Sequence, residues 1–315
     1  MIVLYDTHKI KEKATGLVAT TGFFDGVHLG HRHLIREMSE AAHIRRLPTA
    51  VITFPAHPRT VLQADYQPKL LNTFEEKLEQ LAATGVDYCI VLDFTKELSL
   101  FTAEDFIRSI LVEQLRVKTL LTGYDHRFGY GRTDRFEQYE AYGKACGLET
   151  LKATPYTDGG IAVSSSEIRR QLADGRVETA AQLLTYPYQL KGHIVGGQRI
   201  GRIIGFPTAN IQVDEPSKVV PGTGVYAVRV KWKGKRYNGM LYIGNRPTVE
   251  DEGHITLEVN IFDFDNDIYT NEITVSFIYY IRGDIRFDSL EALKEQLERD
   301  RETANRLLSK DKTGC

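Results

Sequence analysis

The stretch Leu17-Val18-Ala19-Thr20-Thr21-Gly22-Phe23-Phe24-Asp25-Gly26-Val27-His28-Leu29-Gly30-His31 decides how the first half of the chain is read. Leu17 to Thr20 are apolar and β-compatible, whereas Leu34, Ile35, Met38 and Ala42 follow at helical spacing. A strand therefore feeds a helix through glycines. Gly22, Gly26 and Gly30 let backbone approach a ligand closely, and the free N–H groups at the start of the helix favour a phosphate there. His28 and His31 share one face at that end, where imidazoles can donate hydrogen bonds to phosphoryl oxygens as charge builds in a transition state. The same residues would also make an ordinary surface turn with capping histidines, and spacing alone leaves both readings open.

Outward from this stretch, Thr49 to Phe54 reads as a second buried strand, stopped by Pro55-Ala56-His57-Pro58. Phe74 to Ala83 has helical periodicity, Tyr88 to Leu92 is strand-like, Thr102 caps a helix running to about Leu115, and Lys118 to Thr122 gives another strand. Apolar strands alternating with amphipathic helices predict a doubly wound parallel sheet. Such sheets bind ligands beyond the carboxyl ends of their strands, where Gly22 to His31, His57 and Gly123-Tyr124-Asp125-His126-Arg127-Phe128-Gly129 all fall. Three strand ends are thus expected to converge on one site. Taken singly, His57 also fits a rigid surface turn and Asp125 an Asx turn. Ser164-Ser165-Ser166-Glu167 reads as a helix start with a capping box between Ser164 and Glu167, which leaves Arg169 as a candidate bidentate phosphate ligand.

Val177 to Leu184 reads as a short helix, and Tyr186 to Leu190 breaks the pattern, so the boundary is set between a domain of residues 1–185 and one of 186–315. Beyond it, Gly224 to Val230, Tyr237 to Ile243, Ile255 to Phe262 and Glu272 to Tyr280 are closely spaced strands that suggest a compact β-barrel. A long terminal helix follows, expected to be capped by Asp288 with Glu291, and its stripe of Leu290, Leu293, Leu297 and Ala304 should pack on the barrel. The glycine-rich run from Gly192 to Asn210 has neither the Walker ending nor the strand–helix context of a dinucleotide fingerprint. Gly197, Gly201 and Gly205 still permit a loop that wraps phosphates, with Thr208 and Asn210 offering neutral oxygens to Mg²⁺; a glycine-rich barrel corner is the alternative.

With 315 residues the chain is long enough for two cores. Forty Lys and Arg nearly balance 42 Asp and Glu, and the pI is about 6.5, which gives no charge signature for nucleic acid or an anionic membrane. Small-molecule chemistry fits better. Cys89, Cys146 and Cys315 have neither disulfide-framework nor metal-ligand spacing, which fits a reducing cytoplasm. Met1 to Lys13 lacks an apolar leader core, and no run approaches the ~18 apolar residues of a membrane span, so a soluble protein is expected.

Gly22 to His31, the His57-Pro58 turn, Gly123 to Gly129 and Ser164 to Arg169, in that order, resemble the FMN adenylyltransferase module of prokaryotic bifunctional riboflavin kinase/FAD synthetases. Gly205-Phe206-Pro207-Thr208-Ala209-Asn210, Gly224-Val225-Tyr226, Gly244 to Thr248 and Leu257 to Phe264 resemble the riboflavin kinase module of the same family. The resemblance implies a nucleotidyltransferase domain of parallel-sheet type, followed by a riboflavin kinase-like barrel with a terminal helix. It implies that His28 and His31 contact the ATP phosphates, that Asp125 is an adenylyl-site residue, and that Ser164, Ser165 and Arg169 form a lid. Gly22, Phe23, Asp25, Gly26, His57 and Gly123 are implied to complete that binding site. In the barrel it implies Thr208 and Asn210 as ATP·Mg²⁺ ligands, Glu258 as catalytic base, Gly201 and Gly205 in the phosphate loop, and Arg282 and Phe287 at the flavin site.

The implied activities are phosphorylation of riboflavin to FMN and adenylylation of FMN to FAD, with ATP as co-substrate, Mg²⁺ as cofactor, and FMN and FAD as product ligands. No nucleic-acid or membrane partner is implied. Four positions depart from the family pattern: Ala56 where proline is usual, His126 for phenylalanine, Asn260 for histidine and Thr270 for glycine. The alternatives are a chain retaining one activity, with the adenylyltransferase the weaker, a nucleotidyltransferase for a non-flavin phosphate, and a non-catalytic flavin- or RNA-binding regulator.

Overall fold

The computed structural model describes residues 1–6, 10, 14–63, 65–124, 126–158, 161–196, 205–248, 251–266 and 268–310. By contacts the chain divides into two units, Met1–Ser165 and Ser166–Cys315.

The first unit is built on a six-stranded, wholly parallel sheet. Its strands are β1 (Ile2–Leu4), β2 (Leu17–Thr21), β3 (Thr49–Thr53), β4 (Tyr88–Val91), β5 (Val117–Thr122) and β6 (Glu149–Lys152). β2 and β3 are buried at every residue, as a strand covered on both faces must be. Alternate side chains supply the two cores. Leu17, Ala19, Ala50 and Ile52 join one cluster with Leu111 and Leu115, while Val18, Val51 and Cys89 join another with Ile35, Met38 and Leu81. The strand order is β1-β4-β3-β2-β5-β6, so the chain winds from β2 to one side and then returns to add β5 on the other. Between β2 and β5 the order reverses, which opens a crevice at their carboxyl ends.

The helix after the signature stretch is α1 (Leu29–Arg45), which buries Leu34, Ile35, Met38, Ala41 and Ala42. Two further helices, α2 (Pro58–Leu62) and α3 (Phe74–Ala82), follow β3, and α4 (Phe136–Ala145) precedes β6. Thr102 does cap its helix, in a box with Asp105, but the segment continues as a π-helix over Phe106–Gln114. The edge strands β1 and β6, three and four residues long, are too short to carry a readable period in the sequence.

The second unit is a closed antiparallel barrel with helices attached. Its strands are β9 (Gln189–Val195), β10 (Ala209–Val213), β11 (Gly224–Trp232), β12 (Lys235–Thr248), β13 (Asp251–Ile261) and β14 (Glu272–Arg282), numbered after a two-residue hairpin pair, β7 (Thr157–Asp158) and β8 (Ile161–Ala162). Helices α5 (Ser165–Ala173) and α6 (Val177–Leu184) are tied to this barrel. Gly222 N donates to Leu172 O at 2.9 Å, and Tyr280 N to the Glu178 carboxylate at 3.0 Å. The contact division falls between Ser165 and Ser166, at the first turn of α5. The stretch from Tyr186 to Leu190 does not interrupt the structure: Tyr188 is buried, its hydroxyl donating to Val219 O at 2.6 Å, and β9 begins one residue later.

The terminal helix α7 (Leu290–Lys310) lies on the outer face of the barrel, with Ala304 and Leu308 against Val225, Ala227, Met240 and Ile278. Its cap is Ser289 and not Asp288. Ser289 Oγ accepts from Ala292 N at 3.1 Å, whereas Asp288 stands one residue too far from the first turn.

Candidate active sites

The first cavity opens where β2, β3 and β5 end, with a volume of about 270 Å³. Gly22 and Phe23 from the first strand end, His57 from the second, and His126, Phe128 and Gly129 from the third all line it. Asp125 lies outside the described residues. Aromatic residues make half of the wall: His57 meets Phe23 edge-on at 4.8 Å, and Phe128 is backed by Tyr139, stacked on it at 4.3 Å. Gly129 has φ +87°, and a methyl there would sit 2.5 Å from the backbone nitrogen of Ala103, so this loop packs only with glycine. Ala56 is exposed and does not line the cavity, so its departure from the family pattern leaves the wall intact.

The signature loop holds two non-glycine residues in the left-handed region, Phe24 (φ 55°) and Val27 (φ 38°). Each costs about 1–3 kcal/mol and persists only where surroundings impose it. Here both side chains are buried, and four hydrogen bonds pin the backbone and its neighbour. The Asp25 carboxylate accepts from Leu71 N at 2.9 Å and Asn72 N at 3.1 Å, Ser165 Oγ donates to Asp25 O at 2.9 Å, and Arg32 Nε donates to Val27 O at 3.1 Å. Asp25 thus faces inward, shaping the loop rather than lining the cavity.

His28 is the N-cap of α1, its Nδ1 accepting from His31 N at 3.4 Å. The two imidazoles stack at 3.7 Å with 17° between planes. Gly30 permits this stacking, since a methyl there would lie 3.3 Å from the His28 ring. Burial, then the nearby charges of His28, His126 and Lys77, hold His31 well below the usual imidazole range. Its Nδ1 is buried without a hydrogen-bond partner, an arrangement a neutral ring tolerates and a charged one does not. Ser164 is exposed just ahead of α5, and Arg169 lies on α5 in the second unit. Sequence reasoning missed Lys77, which is buried beside Phe23 and whose only signal was a position on the inward stripe of α3 with Leu81.

The second cavity, about 350 Å³, lies against the barrel with Leu293 and Leu297 of α7 in its wall. Glu258 and Asn260 alternate with Leu257 and Val259 on β13, so period two turns them to the outer face, beneath the helix. Thr208 Oγ1 donates to Glu258 Oε2 at 3.4 Å, and Asn210 pairs opposite Glu258 in the β10–β13 register. Asn260 donates to Pro207 O at 2.7 Å, fixing the turn that carries Thr208. Gly205, at φ +82°, precedes that turn; Gly201 lies outside the described residues. Thr270, where the resemblance expects glycine, is itself left-handed at φ 62°.

Tyr242 lines this cavity, and burial together with a hydrogen bond to Asp284 pushes its phenol up to about 12. Neither residue carried a sequence signal. Arg282 also lines it, within 5.9 Å of the Phe287 ring, but its guanidinium is held by the buried Asp300 of α7, Nε to Oδ1 at 3.0 Å and Nη2 to Oδ2 at 2.7 Å. Arg282 therefore braces the helical wall.

A doubly wound sheet with clustered histidines at its switch point, joined to a barrel whose carboxylate stands beside neutral oxygens, defines a two-site nucleotide-dependent transferase. The chain belongs to the bifunctional riboflavin kinase/FMN adenylyltransferase family. The FAD synthetase family model matches residues 10–167, and the riboflavin kinase model matches 184–308. The chain is 40% identical over 290 residues to the bifunctional riboflavin kinase/FMN adenylyltransferase of Escherichia coli K12, covering 92% of each, and 36% identical to that of Bacillus subtilis, covering 98% of this chain and 97% of the relative. A solved structure described as a macrolide-efflux protein from Streptococcus pneumoniae matches with a TM-score of 0.85 and 31% identity, over 96% of this chain and 98% of the other. Among the described residues, no helix is long and apolar enough to cross a membrane.

Proposed function

We infer that this riboflavin kinase and FMN adenylyltransferase divides its two reactions between the two cavities, with the functional boundary near residues 185/186. The observation that carries this reading is the complementary chemistry of the two sites, imidazoles at the switch point and a carboxylate beneath the barrel helix. The family matches to 10–167 and 184–308 support the same division.

In the barrel, Glu258 takes the proton of the ribityl 5′-hydroxyl as that oxygen attacks the γ-phosphorus of ATP and the bond to ADP breaks. Thr208, on the turn before β10, and Asn210, opposite Glu258 on that strand, offer oxygens, a hard neutral set of the kind Mg²⁺ accepts alongside substrate phosphates. Bound there, Mg²⁺ offsets phosphate charge. The apolar wall of Phe206, Val225, Met240 and Phe287 suits a flavin ring, and Gly201 and Gly205 belong to the loop proposed to cover the phosphates.

In the first unit, a phosphate oxygen of FMN attacks the α-phosphorus of ATP, the α–β bridge breaks, and pyrophosphate leaves. His28 and His31 donate to the phosphates, and Phe23, His57 and Phe128 supply aromatic surface for the flavin. Gly22, Gly26 and Gly123 admit the backbone's close approach, Asp25 shapes the loop, and Asp125, Ser164 and Ser165 complete the binding groups. A cytoplasmic location fits the free cysteines Cys89 and Cys146.

The test is incubation with riboflavin, ATP and Mg²⁺, and separately with FMN, ATP and Mg²⁺, followed by chromatographic resolution of the flavins. FMN and then FAD should accumulate in the first mixture and FAD in the second, both suppressed by EDTA. Riboflavin recovered unchanged, with FMN converted, would leave a single activity.

A further inference from the structure

Buried lysines are rare because an ammonium loses its hydration on entering a protein, so one that is retained needs compensation and a use. Lys77 is 3% exposed. A capping box between Thr73 and Glu76 sets the start of α3, which turns Lys77 and Leu81 inward and leaves Glu75 and Glu79 in solvent. Its Nζ donates to Phe54 O at 2.7 Å, Phe23 O at 3.2 Å and Thr53 Oγ1 at 3.4 Å. Three donors meet three acceptors, so the ammonium has no proton or lone pair to spare for chemistry of its own.

The acceptors identify what the lysine does. Phe23 follows β2 by two residues, Thr53 ends β3, and Phe54 comes next, so one ammonium joins the exits of two neighbouring strands. Both phenylalanines line the first cavity, and His57 rests on Phe23, whose ring centroid is 4.2 Å from Nζ. We propose that Lys77 is a positioning residue for adenylyl transfer, clamping the signature loop to the end of β3 and placing a fixed positive charge behind His31. The proposal rests on the reading that adenylyl transfer occurs at this cavity.

The clamp orients Phe23 and, through it, His57. The charge opposes protonation of His31, so the ring stays a neutral donor while anionic phosphates still experience an attractive field in a water-poor site. The groups facing Lys77 are Asp25 from the loop, Cys89 from β4 and His31 from α1. Burial lowers Lys77 to about 8, against the opposing pull of Asp25, while the Cys89 thiol is pushed up to about 11 and stays neutral. As pH rises through about 8, Lys77 loses one donor and its charge.

The test uses the full chain as Lys77→Met, which removes donors and charge, and Lys77→Gln, which keeps a neutral donor. FMN adenylylation, riboflavin phosphorylation, thermal melting and the His31 proton titration by NMR are followed for each. Lys77→Met should cut kcat/KM for FMN adenylylation by about tenfold or more, mainly through KM, with phosphorylation unchanged. The His31 pKa should rise in both variants, and wild-type adenylylation should fall as pH rises through about 8, a fall that both variants should lack. Lys77→Gln should retain an intermediate rate, and it decides the matter with the wild-type pH profile should the Met variant fail to fold. A lowered melting temperature with adenylylation, its pH profile and the His31 titration all unmoved would reduce Lys77 to a structural residue and overturn the proposal. Retained adenylylation in His28→Ala and His31→Ala controls would instead remove the reaction from this cavity.

Discussion

His57 and His126 line the cavity of the parallel sheet, while Glu258 lines the cavity of the barrel, and the proposed division of the reactions accounts for the difference through the two nucleophiles. The FMN phosphate is an anion before it attacks, so the first site needs donors that gather negative charge and has no use for a base. Riboflavin attacks through an alcohol, whose proton must leave, so the second site needs a base, the role proposed for Glu258. The supports differ in kind as well. The first is a strained loop held by Asp25 and Arg32, and the second a regular strand covered by a helix that Arg282 and Asp300 lock in place.

The comparison breaks most sharply at Glu258. Glu258→Gln keeps the shape and removes the base, so riboflavin phosphorylation should fall about 10²–10⁴-fold while supplied FMN is still adenylylated at the wild-type rate, as separate assays would read. Next in size is Asp300→Ala. It strands the Arg282 guanidinium under α7, which should cost the second unit about 3–5 kcal/mol in denaturant unfolding and weaken phosphorylation, with adenylylation unaffected below the transition. Loss of both activities together would tie the two regions to one another.

The smallest effect is one of pH. His31 in the folded unit titrates below 6.5, so between its folded value and 6.5 the unfolded chain binds more protons. Stability of the first unit is therefore held above that window and lost as pH falls through it, by at most about 1.4 kcal/mol per pH unit. Denaturant midpoints from pH ~7 to ~5 should show this slope in the wild type and a shallower one in His31→Gln. An unchanged slope would mean that His31 is not held neutral.

Much of this was legible in the sequence because period and punctuation carried it. Leu34, Ile35, Met38 and Ala42 gave α1, the apolar runs gave β2 to β5, and alternation of strand and helix placed three motifs at one end of the sheet, where Gly22 and Phe23, His57, and His126 to Gly129 line one cavity. What stayed hidden depends on partners distant in sequence. Lys77 reads as one more charge on a polar helix until its acceptors, 23 to 54 residues away, are known. Glu258 reads as a solvent-facing strand residue because nothing local tells that α7 will cover it. Asp25 looked like a binding residue, but its oxygens are taken by amides 46 and 47 residues on. Ser289 displaced Asp288 as a cap because the choice depends on where α7 meets the barrel, not on composition.

The separateness of the two sites is tested most directly by mixing two damaged chains. His31→Ala should convert riboflavin to FMN and stop, and Glu258→Gln should make FAD only from supplied FMN. Given riboflavin, ATP and Mg²⁺, neither variant alone should produce FAD, whereas an equimolar mixture should, with FMN appearing first and FAD following as it is consumed. A mixture that makes no FAD, or a single variant that has lost both reactions, would contradict the division of labour between the switch-point histidines and the barrel glutamate.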